Sequence, residues 1–177
     1  MKEDDVQTLI GIIVGLFAIG IILIPIMALW VYIILQNGKR KRIRERILGT
    51  RADLVGNNRW FPARYASQER FNSYFKIVPW DTAGILVVAP GSVLFLGEKF
   101  SGESITLQFA VGSSRLAWLG KAPWPNGAVS WFQFQAADGI HYFSSETGIL
   151  ILGSHSSTKA IFDQANQYFG APAAQNL

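Results

Sequence analysis

The chain of 177 residues has no cysteine and only two histidines. Without cysteine there are no disulfide bonds, no cysteine-based zinc sites and no thiol nucleophiles. The lack of disulfides is typical of a cytoplasmic domain. The histidines, His141 and His155, lie far apart in sequence and the carboxylates are scattered singly, so no spacing typical of a metal site occurs. We therefore expect no metal ion and no cofactor.

Charged side chains are missing from residues 9–35, which read LIGIIVGLFAIGIILIPIMALWVYIIL. A helix of roughly 20 apolar residues crosses the bilayer core and satisfies its own backbone hydrogen bonds. A buried helix of a soluble domain would keep a polar stripe. A secretory signal peptide would have a shorter apolar region behind a basic start. The sequence therefore predicts a retained transmembrane helix over residues 9–36, after a short extracytoplasmic segment, residues 1–8.

The charges that flank this run predict its orientation. The first five residues are acidic on balance, whereas six basic residues follow the run: Lys39, Arg40, Lys41, Arg42, Arg44 and Arg46. We call these six residues the basic collar. Lys and Arg next to a span stay on the cytoplasmic side. We expect a single-pass protein of the plasma or inner membrane, with the amino terminus outside and the carboxyl-terminal domain in the cytoplasm.

Two features near the membrane each have two interpretations. The collar either binds anionic lipid headgroups, since each basic residue near such a surface contributes about 1 kcal/mol, or only fixes the topology. Gly11 and Gly15 form a GxxxG spacing that lets two helices approach closely. Because glycine is common in membrane helices, this pair is either a helix-association site or has no partner at all.

Beyond residue 49 the sequence has nine basic and eight acidic residues, so this part is nearly neutral. A neutral domain argues against nucleic-acid binding. We divide the chain after the transmembrane helix into a basic juxtamembrane segment and linker (37–58), an aromatic-rich segment (59–76), a β domain (77–170) and a tail (171–177). Within the aromatic-rich segment, the spacing predicts an amphipathic helix over residues 66–75.

Short β-rich runs separated by turn residues dominate from Gly84 onward. We predict strands over residues 85–89, 93–96, 105–109, 115–119, 129–135, 140–143 and 149–152. A helix then begins at Ser156 or Ser157 and ends at Gly170. The predicted fold class is a membrane-anchored α+β protein, mainly β, in which an antiparallel sheet is closed by one carboxyl-terminal helix.

This order of elements resembles the pleckstrin-homology-like superfold, in particular its GRAM-type and bacterial PH-type modules. The stretches that carry the resemblance are Gly84–Val88, Val93–Gly97, Ile105–Phe109, the hairpin Asp138–Phe143 and the final helix. The resemblance implies a PH-like antiparallel β-sandwich or barrel that binds lipid or protein. The first hairpin loop, Ala89–Ser92, has no basic residue, so the resemblance assigns no inositol-phosphate site there.

No sequence motif of an enzyme is present: there is no GxSxG elbow, no GxGxxG and no P-loop. We therefore expect a non-enzymatic protein that presents a cytoplasmic PH-like binding or scaffolding domain at the inner leaflet to a membrane-protein partner. Trp118, Lys121 and Trp124 form the candidate partner-binding loop, because tryptophan is enriched at binding hot spots. In the alternative interpretation, Trp124 folds back over the sheet edge.

Two other functions stay open. One is a tethered lipid-sensing or lipid-transfer domain, which needs a cavity lined by residues such as Phe95, Phe109, Phe134 and Ile161. The other is a small accessory subunit of a membrane complex, in which the anchor itself is the contact surface.

Overall fold

The computed structural model describes residues 3–56, 58–76, 78–99, 101–122, 126, 129–147 and 154–169. The chain divides into two compact units, Met1–Lys39 and Arg40–Leu177. Its elements are α1 (Glu3–Thr50), α2 (Ala52–Val55), β1 (Arg59–Ser67), α3 (Gln68–Asn72), β2 (Thr82–Ala89), β3 (Ser92–Lys99), β4 (Ser104–Ala110), β5 (Arg115–Lys121), β6 (Ser130–Ala136), β7 (Gly139–Ser145) and α4 (Ser154–Phe169). The α+β class is confirmed.

The first unit consists of the apolar part of α1. Among the described residues, α1 is the one helix that is long and apolar enough to cross a membrane. Helix α1 continues past Gly38 to Thr50, beyond the end of the predicted transmembrane helix at residue 36. Glycine in a helix costs only about 1 kcal/mol relative to alanine, so the residues that follow can carry the helix past it. The last turns of α1, from Arg40, belong to the second unit.

The second unit is built on a seven-stranded antiparallel sheet with the order β4-β3-β2-β1-β7-β6-β5. Strands β2–β4 and β5–β7 form two meanders, and β1 joins them by pairing with β2 on one side and with β7 on the other. Strands β2 to β7 lie where the sequence predicts them. The predicted strand over residues 149–152 lies outside the described residues.

The aromatic-rich segment differs from its prediction. The helix predicted over residues 66–75 is present but shorter: α3 spans Gln68–Asn72, and residues 59–67 form the central strand β1. Ser67 caps α3 by accepting a hydrogen bond from the backbone N–H of Arg70 at 3.2 Å. The backbone becomes extended at Ser73, which ends the helix. The sheet domain therefore includes residues 59–76 rather than beginning at residue 77.

The main core lies between the sheet and α4. Inward-facing residues of six strands pack there against Ile161 and Ala165 of α4. The buried members of this cluster are Ala63, Tyr65, Leu86, Val88, Val93, Phe95, Phe109, Phe132, Phe134, Phe143, Ile161 and Ala165. Successive residues of a strand point to opposite faces, so the residues between these belong to the outer face of the sheet. That face is covered as well, by two smaller clusters.

Candidate functional site

The last turns of α1 lie on the outer face of the sheet. Ile47 and Leu48 pack against the cluster formed by Ile85, Val87 and Leu96, and Ile43 is fully buried. These three apolar residues lie on one side of the helical segment. In the structure this side contacts the domain. The collar residues from Arg40 onward therefore belong to the second unit.

Two collar residues share one buried carboxylate. The Arg40 Nε atom lies 3.3 Å from the Oε1 atom of Glu146, and Arg44 forms an ion pair with the same carboxylate. The Glu146 side chain is only 1% exposed and that of Arg40 only 5%. A carboxylate taken out of water to this extent is tolerated only when it is paired. The pairs therefore join α1 to the end of β7.

Arg64 lies in the same region. It is fully buried, and its guanidinium carbon lies 4.1 Å from the ring centroid of Trp80, while that of Arg40 lies 5.8 Å from the same centroid. The pKa of Arg64 is lowered to about 10, first by burial and then by the nearby Arg40 and Arg44, whereas Glu146 opposes the shift. We call these five residues the arginine cluster. None of these five residues is a nucleophile; the cluster pairs buried charges and holds the end of α1 on the sheet.

The other collar residues are closer to solvent. Arg46 donates to the Oε2 atom of Glu98 at 2.7 Å, and Lys41 lies 3.8 Å from Glu45 within the same helix. Arg42 is exposed, and Lys39 is half-buried. The lipid-binding role of the collar stays a prediction; of its six residues, Lys41, Arg42 and Arg46 are the exposed ones.

The candidate partner-binding loop is brought together only in part. Trp118, on β5, is half-buried, with its ring centroid 5.4 Å from that of Phe162 and 5.7 Å from that of His155, so it contributes to the packing of α4 on the sheet. Lys121 ends β5 and is exposed. Trp124 lies outside the described residues.

The glycine pair of the anchor is accessible. A Cβ atom added at Gly11 or at Gly15 would meet nothing within 4 Å. The surface that the GxxxG spacing offers to a second helix is therefore not filled by neighbouring side chains. Its role in helix association stays a prediction.

Both histidines take part in hydrogen bonds. His155 Nδ1 lies 2.9 Å from the hydroxyl of the fully buried Ser130, which a substrate does not reach. His141 contacts the Tyr65 hydroxyl at 3.2 Å and Asp138 at 3.1 Å. The hydrogen bond from His141 lowers the pKa of Asp138. These contacts hold strands and α4 together.

The pKa of Tyr65 is raised to about 12, first by burial and then by Asp81 and Asp138, so the phenol keeps its proton at neutral pH. Within the part of the chain that the structure describes, no group of three His, Cys, Asp or Glu residues is arranged to hold a metal ion.

The sequence interpretation missed three members of the arginine cluster: Arg64, Trp80 and Glu146. One signal was available, because β2 reads TAGILVVA, a continuous apolar run that is typical of a strand buried on both faces. Such a strand needs a cover on its outer face, and residues 40–50 were available to supply it.

Comparison of the chain with protein-family models, with curated proteins and with solved structures finds no match.

Proposed function

We propose that this chain is a non-enzymatic, single-pass membrane protein that presents its second unit as a PH-like binding or scaffolding domain at the inner face of the cell membrane. Its partner in this proposal is another membrane protein. The observation that carries the proposal is the exposed apolar surface of α1. Phe17 is 72% exposed and Ile24 69%, within a stretch that has no charged side chain. Soluble monomers rarely expose an apolar patch larger than a few hundred Å².

The second unit supports the domain part of the proposal. Seven antiparallel strands followed by one carboxyl-terminal helix are the elements that the PH-like resemblance implies. The two histidines contact Ser130 and Tyr65 within the packed domain. This favours a binding role over an enzymatic one. The docking of residues 40–50 also fits a tethered module, because it makes the chain next to the anchor part of the domain.

The packing of the core favours surface binding over lipid transfer. The four residues that a lipid cavity would need, Phe95, Phe109, Phe134 and Ile161, belong to one cluster of fully buried residues. The Phe109 and Phe134 rings stack with their centroids 4.3 Å apart. Side chains packed against one another at this distance leave no room between them for an acyl chain.

Single cysteines test the topology, because the natural chain has none. We expect Asp4→Cys to react with a membrane-impermeant maleimide in intact cells. We expect Ser113→Cys, in an exposed turn, to react only after permeabilisation. Labelling of position 113 from outside, without permeabilisation, would overturn the proposed orientation.

Affinity purification of the full chain from crosslinked, detergent-solubilised membranes tests the partner. We expect the same co-purified membrane protein with the natural chain and with the double variant Gly11→Leu/Gly15→Leu. If the double variant alone loses that protein, the anchor is the contact surface, and the accessory-subunit alternative replaces domain-mediated binding. If no membrane protein co-purifies with either chain, the scaffolding proposal fails.

A further inference from the structure

The loop after α3 presents two aromatic side chains to solvent. Phe75 is 92% exposed and Tyr74 is 66% exposed, and their ring centroids lie 5.5 Å apart in an edge-to-face arrangement. We call this pair the aromatic tip. A soluble domain gains nothing from holding two adjacent rings in water, so the pair needs an explanation outside the packing of the domain.

The base of the tip is held in place by a network of hydrogen bonds. The Lys76 ammonium group donates to the backbone carbonyls of Arg70 and Phe71 at 2.9 and 2.7 Å and to Asn126 Oδ1 at 2.6 Å. The Arg70 guanidinium group donates to the carbonyl of Val78 at 2.8 Å. The rings are thus presented by a braced loop, and binding through them requires little further ordering.

The loop is also anchored on the sheet. The ring of Phe71 lies parallel to that of Tyr142 with a centroid distance of 3.8 Å, and it meets Trp131 edge-on at 5.4 Å. The chain therefore buries the aromatic residue before the tip and leaves the next two outside. One ring of this segment thus packs on the sheet, and two lie largely in solvent.

We propose that the aromatic tip inserts into the interfacial layer of the bilayer in which the chain is anchored. This inference rests on the proposed membrane anchoring. The size of the tip favours a bilayer over a protein partner, because two aromatic rings bury roughly 150–250 Å² each, whereas a stable protein interface needs about 800 Å² from each side. A tyrosine beside a phenylalanine also suits the interface, where one end of the ring is apolar and the other hydrated.

The charges around the tip balance one another. The basic residues Arg70 and Lys76 flank the tip, and the acidic residues Glu69 and Asp81 lie beside Arg70. The assignment to the bilayer therefore rests on the exposure, size and chemistry of the two rings.

The test uses the full chain in nanodiscs of phosphatidylcholine with one fifth phosphatidylglycerol. Phe75→Cys is labelled with the environment-sensitive fluorophore NBD, with Ser113→Cys as the matched control in another exposed turn. Half of the samples contain a lipid with a nitroxide quencher in its upper acyl chain. We expect the label at position 75 to shift to the blue and to lose intensity with the nitroxide lipid, and the label at position 113 to do neither.

The outcomes separate this inference from the anchoring on which it rests. Elution of the chain with the nanodiscs without detergent confirms the anchoring, and equal emission and equal quenching at positions 75 and 113 then overturn the insertion alone. If the chain does not elute with the nanodiscs, both proposals fail. A photo-crosslinking residue at position 75 in cell membranes supplies a second readout: a lipid adduct supports insertion, and a protein adduct overturns it.

Discussion

Replacement of Glu146 by Gln is the sharpest perturbation of this fold. The substitution keeps the size of the side chain and removes the negative charge that Arg40 and Arg44 share. Arg64 lies in the same cluster, and its pKa is already lowered by burial and by the other two arginines. Without the carboxylate, three positive charges remain close together in a region that excludes water.

Removal of one partner of a buried ion pair costs about 3–5 kcal/mol, since the remaining charge keeps its desolvation penalty. A domain is stable by only about 5–15 kcal/mol, so we expect Glu146→Gln to remove a large share of the free energy of unfolding. The melting temperature should fall by about 10 °C or more. Arg44→Met in the Glu146→Gln background should recover about 1–2 kcal/mol, because it removes one of the repelling charges.

The assay is thermal or urea unfolding of the full chain in detergent, followed by tryptophan fluorescence. Glu45→Gln is the matched control: Glu45 lies in the same helical segment and pairs with Lys41, but its side chain is 61% exposed. Pairs of this kind contribute about 0.2–1 kcal/mol. Equal shifts for Glu146→Gln and Glu45→Gln would refute the view that the end of α1 is held on the sheet by buried ion pairs.

Three further predictions address the sheet and its loops. Gly84→Ala should destabilise the domain by about 1–3 kcal/mol, because the added Cβ would lie 2.0 Å from the carbonyl oxygen of Leu96. Gly49→Ala is the comparison variant: its Cβ would meet nothing within 4 Å, so it should stabilise helix α1 by about 0.5–1 kcal/mol. The pKa of Tyr65 in the folded chain is about 12, raised from its ordinary value of 10.0. The stability that this shift contributes is complete below pH 10 and is lost as the pH rises through 12. Tyr65→Phe removes the phenol, so its free energy of unfolding should fall less between pH 10 and 12 than that of the natural chain. Lys76→Met should speed chymotrypsin cleavage at the aromatic tip, because three hydrogen bonds of its base are lost.

Each of these has a result that would contradict it. A Gly84→Ala melting temperature no lower than that of the natural chain would show that β2 and β3 separate easily. Parallel pH curves of the urea midpoint for Tyr65→Phe and the natural chain would mean that the phenol ionises equally in the folded and unfolded states. An unchanged cleavage rate for Lys76→Met would show that the ammonium group does not hold the loop.

The strands after Gly84 could be predicted from sequence because their signals are local. In the hairpin over residues 130–145, Asp138 and Gly139 supply a tight turn, and Gly139 adopts a φ of 135°. The final helix is similarly local, with small residues at its start and an apolar stripe that includes Ile161 and Ala165. Patterns of this kind need no knowledge of what the segment packs against.

Strand β1 was missed because proline argues against a central strand. The register of the two ladders of β1 shows how the sheet accommodates Pro62. Pro62 pairs with Ile85 of β2, but the β1–β7 ladder begins only at Ala63, so the missing N–H falls at the end of a ladder. The Pro62 carbonyl still accepts a hydrogen bond from the backbone N–H of Glu146 at 3.0 Å. The spacing of Phe71 and Phe75, which predicts a helix, is realised only in the short α3: Phe71 is partly buried on the sheet, and Phe75 lies beyond the helix in solvent.

The arginine cluster could not be predicted because it depends on contacts distant in sequence. Arg40 and Glu146 lie more than a hundred residues apart, and nothing in the local sequence of either indicates the other. A run of basic residues after an apolar segment has the same appearance whether it faces lipid headgroups or a buried carboxylate. Tertiary structure therefore decides which collar residues remain available to the membrane.

Alkaline carbonate extraction of membranes from cells that express the full chain tests the central claim most directly. The account predicts that the chain stays in the membrane pellet and enters solution only with detergent, because the described apolar side chains of α1, such as Phe17 and Ile24, are exposed. Recovery of the full chain as a monodisperse species in the carbonate supernatant, without detergent, would contradict it.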